Sequence, residues 1–257
     1  MDTYRSSGFT IIEVSLVLGI SGLLVLMALI GTGISIQTTR FTDSSRSLHA
    51  FVQKQYDDIL NGVNPRAGQE ACATGSVNTT TPQTPGTSNC LLLGKLVTLK
   101  QNATTAEAYT IVGTEPVNPD YNTTDERLIY QFTPTIIRNT GVQTYQIPWQ
   151  ASISGSRRLV ASETPAKAVD AIAMIRSPRS NRIVIYTFKE PSASYPLTTL
   201  INPDVAANQN NISKPANICL KSADAFAGQS LINLTGGQGQ DAIQLSFNVV
   251  AGDCDGV

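Results

Sequence analysis

Glu13 is chemically the most unusual residue of this chain, because its carboxylate stands in an otherwise apolar stretch. From Phe9 to Ile36 every other residue is uncharged, and Arg40 is the next charged residue along the chain. Ionisable groups inside apolar segments are rare and usually functional, since a charge left unpaired in a low dielectric is costly. We therefore expect Glu13 to meet a cation, either in its own chain or in a neighbouring one.

Four cysteines form a second group of reactive residues, at Cys72, Cys90, Cys219 and Cys254. None belongs to a Cys-x-x-Cys pair and His49 is the only histidine, so the spacing favours neither a redox site nor a zinc site. Widely spaced cysteines in even number behind an export segment are typical of disulfides in an oxidising compartment. Of the three possible pairings we favour Cys72–Cys90 and Cys219–Cys254, because each closes a loop within one region.

Motifs for other chemistry are absent or incomplete. No nucleophile elbow, P-loop or dinucleotide fingerprint occurs, and a net charge of −1 does not favour a nucleic-acid partner. Acidic residues at 120–126 and near the C-terminus (Asp241, Asp253 and Asp255) carry oxygen atoms suited to Ca²⁺, but they lack the spacing of an EF-hand loop. We interpret them as solvated acidic loops, and we predict no enzyme, no metal site and no cofactor.

The element that must position Glu13 is an apolar helix. The uncharged run from Val14 to Ile36 spans about 35 Å as a helix, slightly more than the apolar core of a bilayer. A cleaved secretory signal, a plain signal anchor and a prepilin-type signal all contain such a run. The first requires several basic residues before the run and a small-residue cleavage site after it, whereas Arg5 is the only basic residue upstream and Gly31-Thr32-Gly33 is a poor site.

The residues around Gly8 favour the prepilin-type signal. The segment Ser7-Gly8-Phe9-Thr10-Ile11-Ile12-Glu13-Val14 resembles the N-terminal motif of type IV prepilins and of the pseudopilins of type II secretion. In that family a short polar leader ends in Gly, and Phe-Thr-x-x-Glu and an unbroken apolar helix follow. The leader here has a single basic residue, and the helix lacks the proline that many major pilins carry.

The resemblance implies a processing route and a set of partners. A prepilin peptidase would cut between Gly8 and Phe9 and methylate Phe9, and an assembly platform protein and its ATPase would move the subunit into a filament with other pilin subunits. The protein would first be a single-pass protein of the cytoplasmic membrane, held by residues 9–36 with its head outside, and later part of a cell-surface filament. Phe9 and Glu13 would then pair between neighbours during assembly.

The remainder of the chain is interpreted from pattern. Apolar residues between Ser44 and Val63 form one helical stripe, so we predict a helix that continues from the membrane segment and packs on a head. Residues 64–89 are rich in Thr, Gly and Pro, which is typical of a loop. Predicted strands are Leu91–Leu99, Ala108–Val112, Arg127–Ile137, Thr144–Ile153, Ala171–Arg176, Arg182–Phe188, Ala216–Leu220, Leu231–Leu234 and Ala242–Val250, with a short helix at Leu197–Asn208. Trp149 is expected in the core or against the helix.

The predicted fold is α+β: a long N-terminal helix, membrane-spanning in its first half, packed on an antiparallel β-rich head as in pilins. We divide the chain into a leader (1–8), a membrane or filament-core helix (9–36), an amphipathic helix (37–63), a loop bracketed by cysteines (64–90) and the head (91–257). The predicted function is a structural subunit of a type IV pilus-like filament. The alternative is a low-copy adhesin at a filament tip or on the membrane, for which 64–89 is the candidate displayed loop.

Overall fold

The computed structural model describes residues 10–63, 71–73, 76–78, 90–138, 141–158, 169–189, 197–205, 215–223, 228–235, 242–247, 249 and 254. The helices are α1 (Ile11–Leu60), α2 (Asp125–Gln131) and α3 (Leu197–Ile201). The strands are β1 (Ala71–Ala73), β2 (Ser76–Asn78), β3 (Leu91–Thr98), β4 (Thr105–Gly113), β5 (Thr135–Ile137), β6 (Gln143–Gln146), β7 (Ser152–Arg158), β8 (Ala171–Arg176), β9 (Ile183–Phe188), β10 (Ala216–Lys221), β11 (Gln229–Leu234) and β12 (Ile243–Ser246).

One continuous helix, α1, forms both the predicted membrane segment and the predicted amphipathic helix. It begins after Thr10, whose hydroxyl accepts a hydrogen bond from the backbone N–H of Glu13 at 3.3 Å. It ends at Asn61 and Gly62, where Gly62 adopts a φ of +66°. That left-handed conformation lets the next amide, of Val63, donate to the carbonyl of Asp58 at 2.8 Å and so satisfies one of the last helical carbonyls.

The head is built from two larger antiparallel sheets. The first has the order β5-β4-β3-β8-β9, with β6 also paired to β4, and the second has the order β12-β11-β10-β7. The hairpin predicted between β8 and β9 is confirmed, since Ser177 N–H donates to the carbonyl of Arg182 at 2.8 Å. The predicted α+β layout, a long apolar helix followed by antiparallel sheets, is therefore the observed one and is consistent with a pilin-like fold.

The second half of α1 packs on both sheets. Its buried apolar residues include Leu48, Val52, Tyr56 and Ile59, at the helical spacing that the sequence predicts. They share one core with residues of the six-stranded sheet (Val97, Ile172, Met174) and of the four-stranded sheet (Ile218, Leu220, Ile232). Burying an apolar side chain of this size contributes about 1.5–3 kcal/mol, so this interface is a main source of the head's stability.

A second core lies on the opposite face of the six-stranded sheet. There α2 and α3 contribute Leu128, Ile129 and Phe132 together with Leu197 and Ile201. The six-stranded sheet is thus covered by helices on both faces: the predicted helix α1 covers one face, and α2, in a segment that the sequence assigned to a strand, covers the other together with α3. This explains why β8 and β9 are apolar along nearly their whole length instead of alternating.

Three predictions of secondary structure are wrong. Arg127–Ile137 is not a single strand, because α2 occupies its first part and only β5 is extended. Thr144–Ile153 is interrupted at Trp149 and Gln150, whose φ angles of +58° and +57° break the extended chain between β6 and β7. The predicted loop at 64–89 contains the short hairpin of β1 and β2, while its remaining residues lie outside the described ones.

Candidate functional site

The first half of α1 has no partner within the described part of the chain. None of its residues from Ile11 to Thr32 is buried, and its leucine, isoleucine and valine side chains are exposed on all sides of the helix. The helix is long and apolar enough to cross a membrane. A helix that is apolar all round needs an apolar surrounding, either lipid or other helices, because water would solvate this surface poorly.

The hydroxyl groups of Ser15, Ser21 and Thr32 in this half are satisfied by the helix itself. The hydroxyls of Ser15 and Ser21 donate to the carbonyls one turn earlier, of Ile11 and Val17, at 2.8 and 2.6 Å. Thr32 donates to the carbonyl of Leu29 at 3.0 Å, so the helix also continues without a break through Gly31-Thr32-Gly33. Hydroxyls bonded in this way do not need water, which suits a segment placed in hydrocarbon.

Glu13 lies in the first turn of α1 and is exposed. Among the described residues no basic side chain lies within ion-pair distance of it, so its carboxylate faces outward from the helix N-terminus. That position favours a negative charge, because the first turn presents unpaired N–H groups and the positive end of the helix dipole. Gly8 and Phe9, the predicted cleavage and methylation site, lie outside the described residues, and so the predicted Phe9–Glu13 pair stays a prediction.

The helix enters the head immediately after Arg40. Phe41 is the first buried residue of α1, and Ser44 and Ser45 are fully buried one turn later. The Ser44 hydroxyl donates to the carbonyl of Pro148 at 2.7 Å, and the hydroxyls of Ser45 and Ser230 lie 2.7 Å apart. These small polar residues let the sheets approach α1 closely, while the hydroxyls of Ser44 and Ser45 keep their hydrogen-bond partners.

Trp149 lies on this junction. Its indole N–H donates to the Asp43 carboxylate at 3.1 Å, and the Arg40 guanidinium stacks over its ring at 4.9 Å from the ring centre. The expectation of a helix-facing tryptophan is therefore met, but the side chain is not in the core, because 53% of its surface is exposed. The sequence did not predict this cluster, although Arg40 is the first charge after the apolar run and Trp149 follows a proline.

Both favoured disulfide pairings are present in the structure. Cys72 is bonded to Cys90 and Cys219 to Cys254, with Cα–Cα distances of 5.0 and 5.7 Å. The first bond links β1 to the start of β3, and the second links β10 to the C-terminal region. No free cysteine is present, so thiol chemistry is not available to the oxidised protein.

The described residues that were considered for catalysis or metal binding make contacts that stabilise the fold. His49 lies on the flank of α1 with Nε2 at 3.3 Å from the carbonyl oxygen of Ile243. Asp125 caps the β8–β9 turn by accepting hydrogen bonds from the hydroxyls of Ser177 and Ser180 at 2.7 and 2.8 Å. Within the described ranges no group of three or more His, Cys, Asp or Glu residues is placed to hold a metal ion. Asp241, Asp253 and Asp255 lie outside those ranges.

Three titrating groups in the described part of the head, Asp125, Lys95 and Tyr186, have shifted pKa values, and that of the Tyr186 hydroxyl is raised by burial. Burial acts to raise the pKa of Asp125, but hydrogen bonds from Ser177 and Ser180, together with the Arg179 guanidinium, lower it overall. Burial lowers the pKa of Lys95, an effect that the nearby Asp58 carboxylate partly offsets. Lys95 lies between the sheet and α1 with 1% of its surface exposed. A lysine enclosed in this way has no path to a substrate, so the shift concerns stability.

Comparisons with known proteins identify no relative. No model of a protein family matches the chain, and no curated protein and no solved structure is significantly similar to it.

Proposed function

We propose that this chain is a structural subunit of a type IV pilus-like filament, a pilin or a minor pilin or pseudopilin. The observation that carries the proposal is the division of α1. Its first half is apolar on every side and contacts nothing in the described head, whereas its second half is buried in the head's core. A helix of this kind joins a folded head to an apolar medium, which a membrane supplies before assembly and bundled helices supply within a filament.

The prepilin-type motif supports the same proposal from the sequence. Cleavage between Gly8 and Phe9 would leave a cationic amine four residues before Glu13 in the sequence, and the carboxylate of Glu13 is exposed. In a filament the apolar helices would exchange lipid for one another. Gly19 and Gly22 would permit a close approach, because they have no side chain and no atom of the described residues lies within 4 Å of where a Cβ would be. A charge left unpaired in such a core costs roughly 3–5 kcal/mol, so the pair sets the axial register of neighbouring subunits.

The first test is processing. In the host the mature protein is expected to begin at N-methyl-Phe9, and Gly8→Val is expected to block the cut. N-terminal sequencing and intact mass report both outcomes. A mature protein that starts after Gly33, or one that is never cut in the presence of an active prepilin peptidase, contradicts the prepilin interpretation.

The second test is incorporation of Glu13→Leu into filaments. The variant is expected to insert, to be cleaved and to fold its head, while its amount in sheared filaments falls sharply relative to wild type at equal membrane levels. Glu115→Leu, which removes an exposed carboxylate from the head, is the matched control and should assemble normally. Glu13→Asp keeps the charge and should assemble better than Glu13→Leu.

Equal incorporation of Glu13→Leu and wild type would remove the assembly role of Glu13 and would favour the alternative, an adhesin on the membrane or at a filament tip. Copy number separates these cases further. A structural subunit repeats along the filament, whereas a tip adhesin occurs once or a few times. Quantitative mass spectrometry of purified filaments measures the ratio of this chain to the other subunits.

A further inference from the structure

The cluster around Trp149 contains two consecutive residues in an energetically costly backbone conformation. Trp149 and Gln150 are consecutive non-glycine residues in the left-handed region, with φ angles of +58° and +57°. Such a conformation costs about 1–3 kcal/mol for each residue and persists where the surrounding structure or a function requires it. Here it holds a half-exposed indole against the helix, between Arg40 and Asp43. Burial of the indole in the core does not explain the strain.

The position of the cluster along α1 defines its surroundings. Arg40 lies about one helical turn, or roughly 5–6 Å, beyond Ile36, where the uncharged run ends. The headgroup layer on each side of a bilayer is about 5–8 Å thick. When the run occupies the hydrocarbon, Arg40 and the ring of Trp149 stacked against it lie at the depth of the lipid headgroups. Tryptophan is enriched at that depth, because its ring is apolar and its N–H is polar.

The charge of the cluster suits the same layer. Arg40 and Arg46 are exposed, and within the described chain neither has a carboxylate at ion-pair distance. Together with Asp43 and Trp149 they line a shallow cavity of about 350 Å³ whose other lining residues are the threonines Thr38, Thr39 and Thr42. The hydroxyls of these three threonines already donate to carbonyls one turn earlier in α1, so the guanidinium groups are the hydrogen-bond donors that the cavity offers. Guanidinium groups suit a phosphate diester.

We propose that Arg40, Asp43, Arg46 and Trp149, named here the juxtamembrane collar, dock on the phosphate headgroup layer of the membrane on the side of the head. Arg40 and Trp149 lie within this layer, and Arg46, about 15 Å beyond Ile36, faces it from the aqueous side. The proposal rests on α1 spanning the membrane, as in the proposed function, but not on filament assembly. The collar fixes the depth of α1 and holds the base of the head on the bilayer surface. Its partner is the anionic lipid surface, because the collar continues the apolar half of α1 without a gap and carries two guanidinium groups against one carboxylate.

The protein contains a single tryptophan, so its fluorescence reports on the collar directly. The full chain is reconstituted into vesicles of phosphatidylethanolamine and phosphatidylglycerol. Trp149 emission is then quenched in turn by lipids spin-labelled at the headgroup, by lipids labelled deep in the acyl chain and by acrylamide in water. We expect the headgroup label to quench Trp149 strongly and the deep label to quench it weakly. Acrylamide should quench Trp149 much less in vesicles than it quenches an exposed tryptophan.

The matched control moves the tryptophan to the other end of the head. In Trp149→Phe/Tyr121→Trp the probe lies beside the β8–β9 turn, near the C-terminal end of α1, because the Arg179 side chain donates to the carbonyl of Tyr121 and Arg176 donates to that of Leu60. This probe should be open to acrylamide and insensitive to either lipid label. If Trp149 in wild type behaves like this control, the collar does not bind lipid and the proposal is overturned.

Charge is tested with Arg46→Gln, which leaves the contacts of Trp149 with Arg40 and Asp43 in place. Replacing phosphatidylglycerol by phosphatidylcholine should expose Trp149 to acrylamide more in wild type than in the variant. In anionic vesicles Arg46→Gln should lower the ratio of shielded to exposed Trp149 roughly fivefold, as expected for one cation near an anionic surface. An equal response of both proteins to phosphatidylglycerol would overturn the role of Arg46. Shielding of Trp149 only in assembled filaments would assign the collar to a neighbouring subunit instead.

Discussion

Lys95 provides the sharpest test of how the head is stabilised. Its side chain is 1% exposed on the face of the six-stranded sheet that contacts α1, and its one described hydrogen bond is donated to the hydroxyl of Thr110 at 3.1 Å. Asp58, whose carboxylate acts on the Lys95 charge, is already paired with Lys54 at 2.7 Å. The Lys95 ammonium group therefore loses most of its hydration on folding and recovers little of it. We expect that removing both hydrogen-bonding partners will stabilise the protein.

The perturbation is Lys95→Met/Thr110→Val, which keeps the volumes and removes the polar atoms. Replacement of buried charged groups by apolar ones of similar size is neutral or stabilising by about 1–4 kcal/mol, and we expect a gain within this range at pH 7. Lys95→Met alone should gain less, because the buried hydroxyl oxygen of Thr110 then loses its donor, at a cost of about 1–3 kcal/mol. The order of the two variants is itself part of the prediction.

The gain in unfolding free energy of the double variant over wild type should become smaller as the pH rises. The pKa of Lys95 is lowered in the folded protein, whereas the unfolded side chain titrates near the usual value of about 10.4. Between these two values the unfolded state binds more protons, so the free energy of unfolding of the wild type rises with pH. The advantage of the double variant is therefore largest below the folded-state pKa and shrinks as the pH approaches about 10.4.

Urea unfolding of the full chain in detergent, with disulfides intact, measures these differences through Trp149 fluorescence. Trp149 contacts α1 from the loop between β6 and β7, so its signal reports on the docking of the helix to the head. A double variant less stable than wild type at both pH 7 and pH 10 would refute the reasoning. It would show that the attraction between Lys95 and Asp58 outweighs the desolvation of the ammonium group.

Other predictions concern the head. Asp125→Ala should lower the free energy of unfolding by roughly 1.5–3 kcal/mol at pH 7. Because the folded-state pKa of Asp125 is lowered, wild type loses this contribution as the pH falls below about 4. Denaturation at pH 7 and at pH 2 should therefore show a smaller difference in unfolding free energy between wild type and variant at pH 2. Gly94→Ala should lower the thermal midpoint, because a Cβ there overlaps the backbone carbonyl of Met174, and Gly19→Ala, with open space around it, is the control. Cys72→Ser/Cys90→Ser should cost about 3 kcal/mol by calorimetry, and an unchanged midpoint would contradict the chain-entropy estimate.

The long helix was predictable because its signals are local. A charge-free run followed by apolar residues at helical spacing specifies α1 without reference to the rest of the chain. The β8–β9 hairpin was predictable for the same reason, since two apolar stretches flank Ser177-Pro178-Arg179-Ser180-Asn181. Each of these elements is determined by residues that are close in sequence.

The α2 region shows where local preference is overridden. Its isoleucine, tyrosine and phenylalanine favour a strand, but Thr124 caps a helix and Asp125 and Glu126 occupy its first turn. The apolar residues Leu128, Ile129 and Phe132 then share one helix face, which the six-stranded sheet buries. The capping signal was present in the sequence, and the contact with the sheet decides the outcome.

The collar could not be predicted, because its members are distant in the chain. Trp149 and Asp43 are 106 residues apart, and their contact requires the packing of α1 against both sheets. The prediction for Glu13 depends on a second chain as well as on the fold. A sequence reveals that a carboxylate is out of place in an apolar segment, but the cation proposed to pair with it would come from a second chain.

The sharing of α1 between the two larger sheets has a mechanical consequence. A pull on the apolar half of α1 acts along the helix axis and loads the whole buried interface in shear, so contacts with β3 and β8 of one sheet and β12 of the other resist together. Force applied in this direction does not unzip strands one hydrogen bond at a time. Rupture would require the helix to slide along both sheets at once, which would expose their shared apolar core to water. The head is thus arranged to tolerate tension along α1 better than a sideways load on a sheet edge.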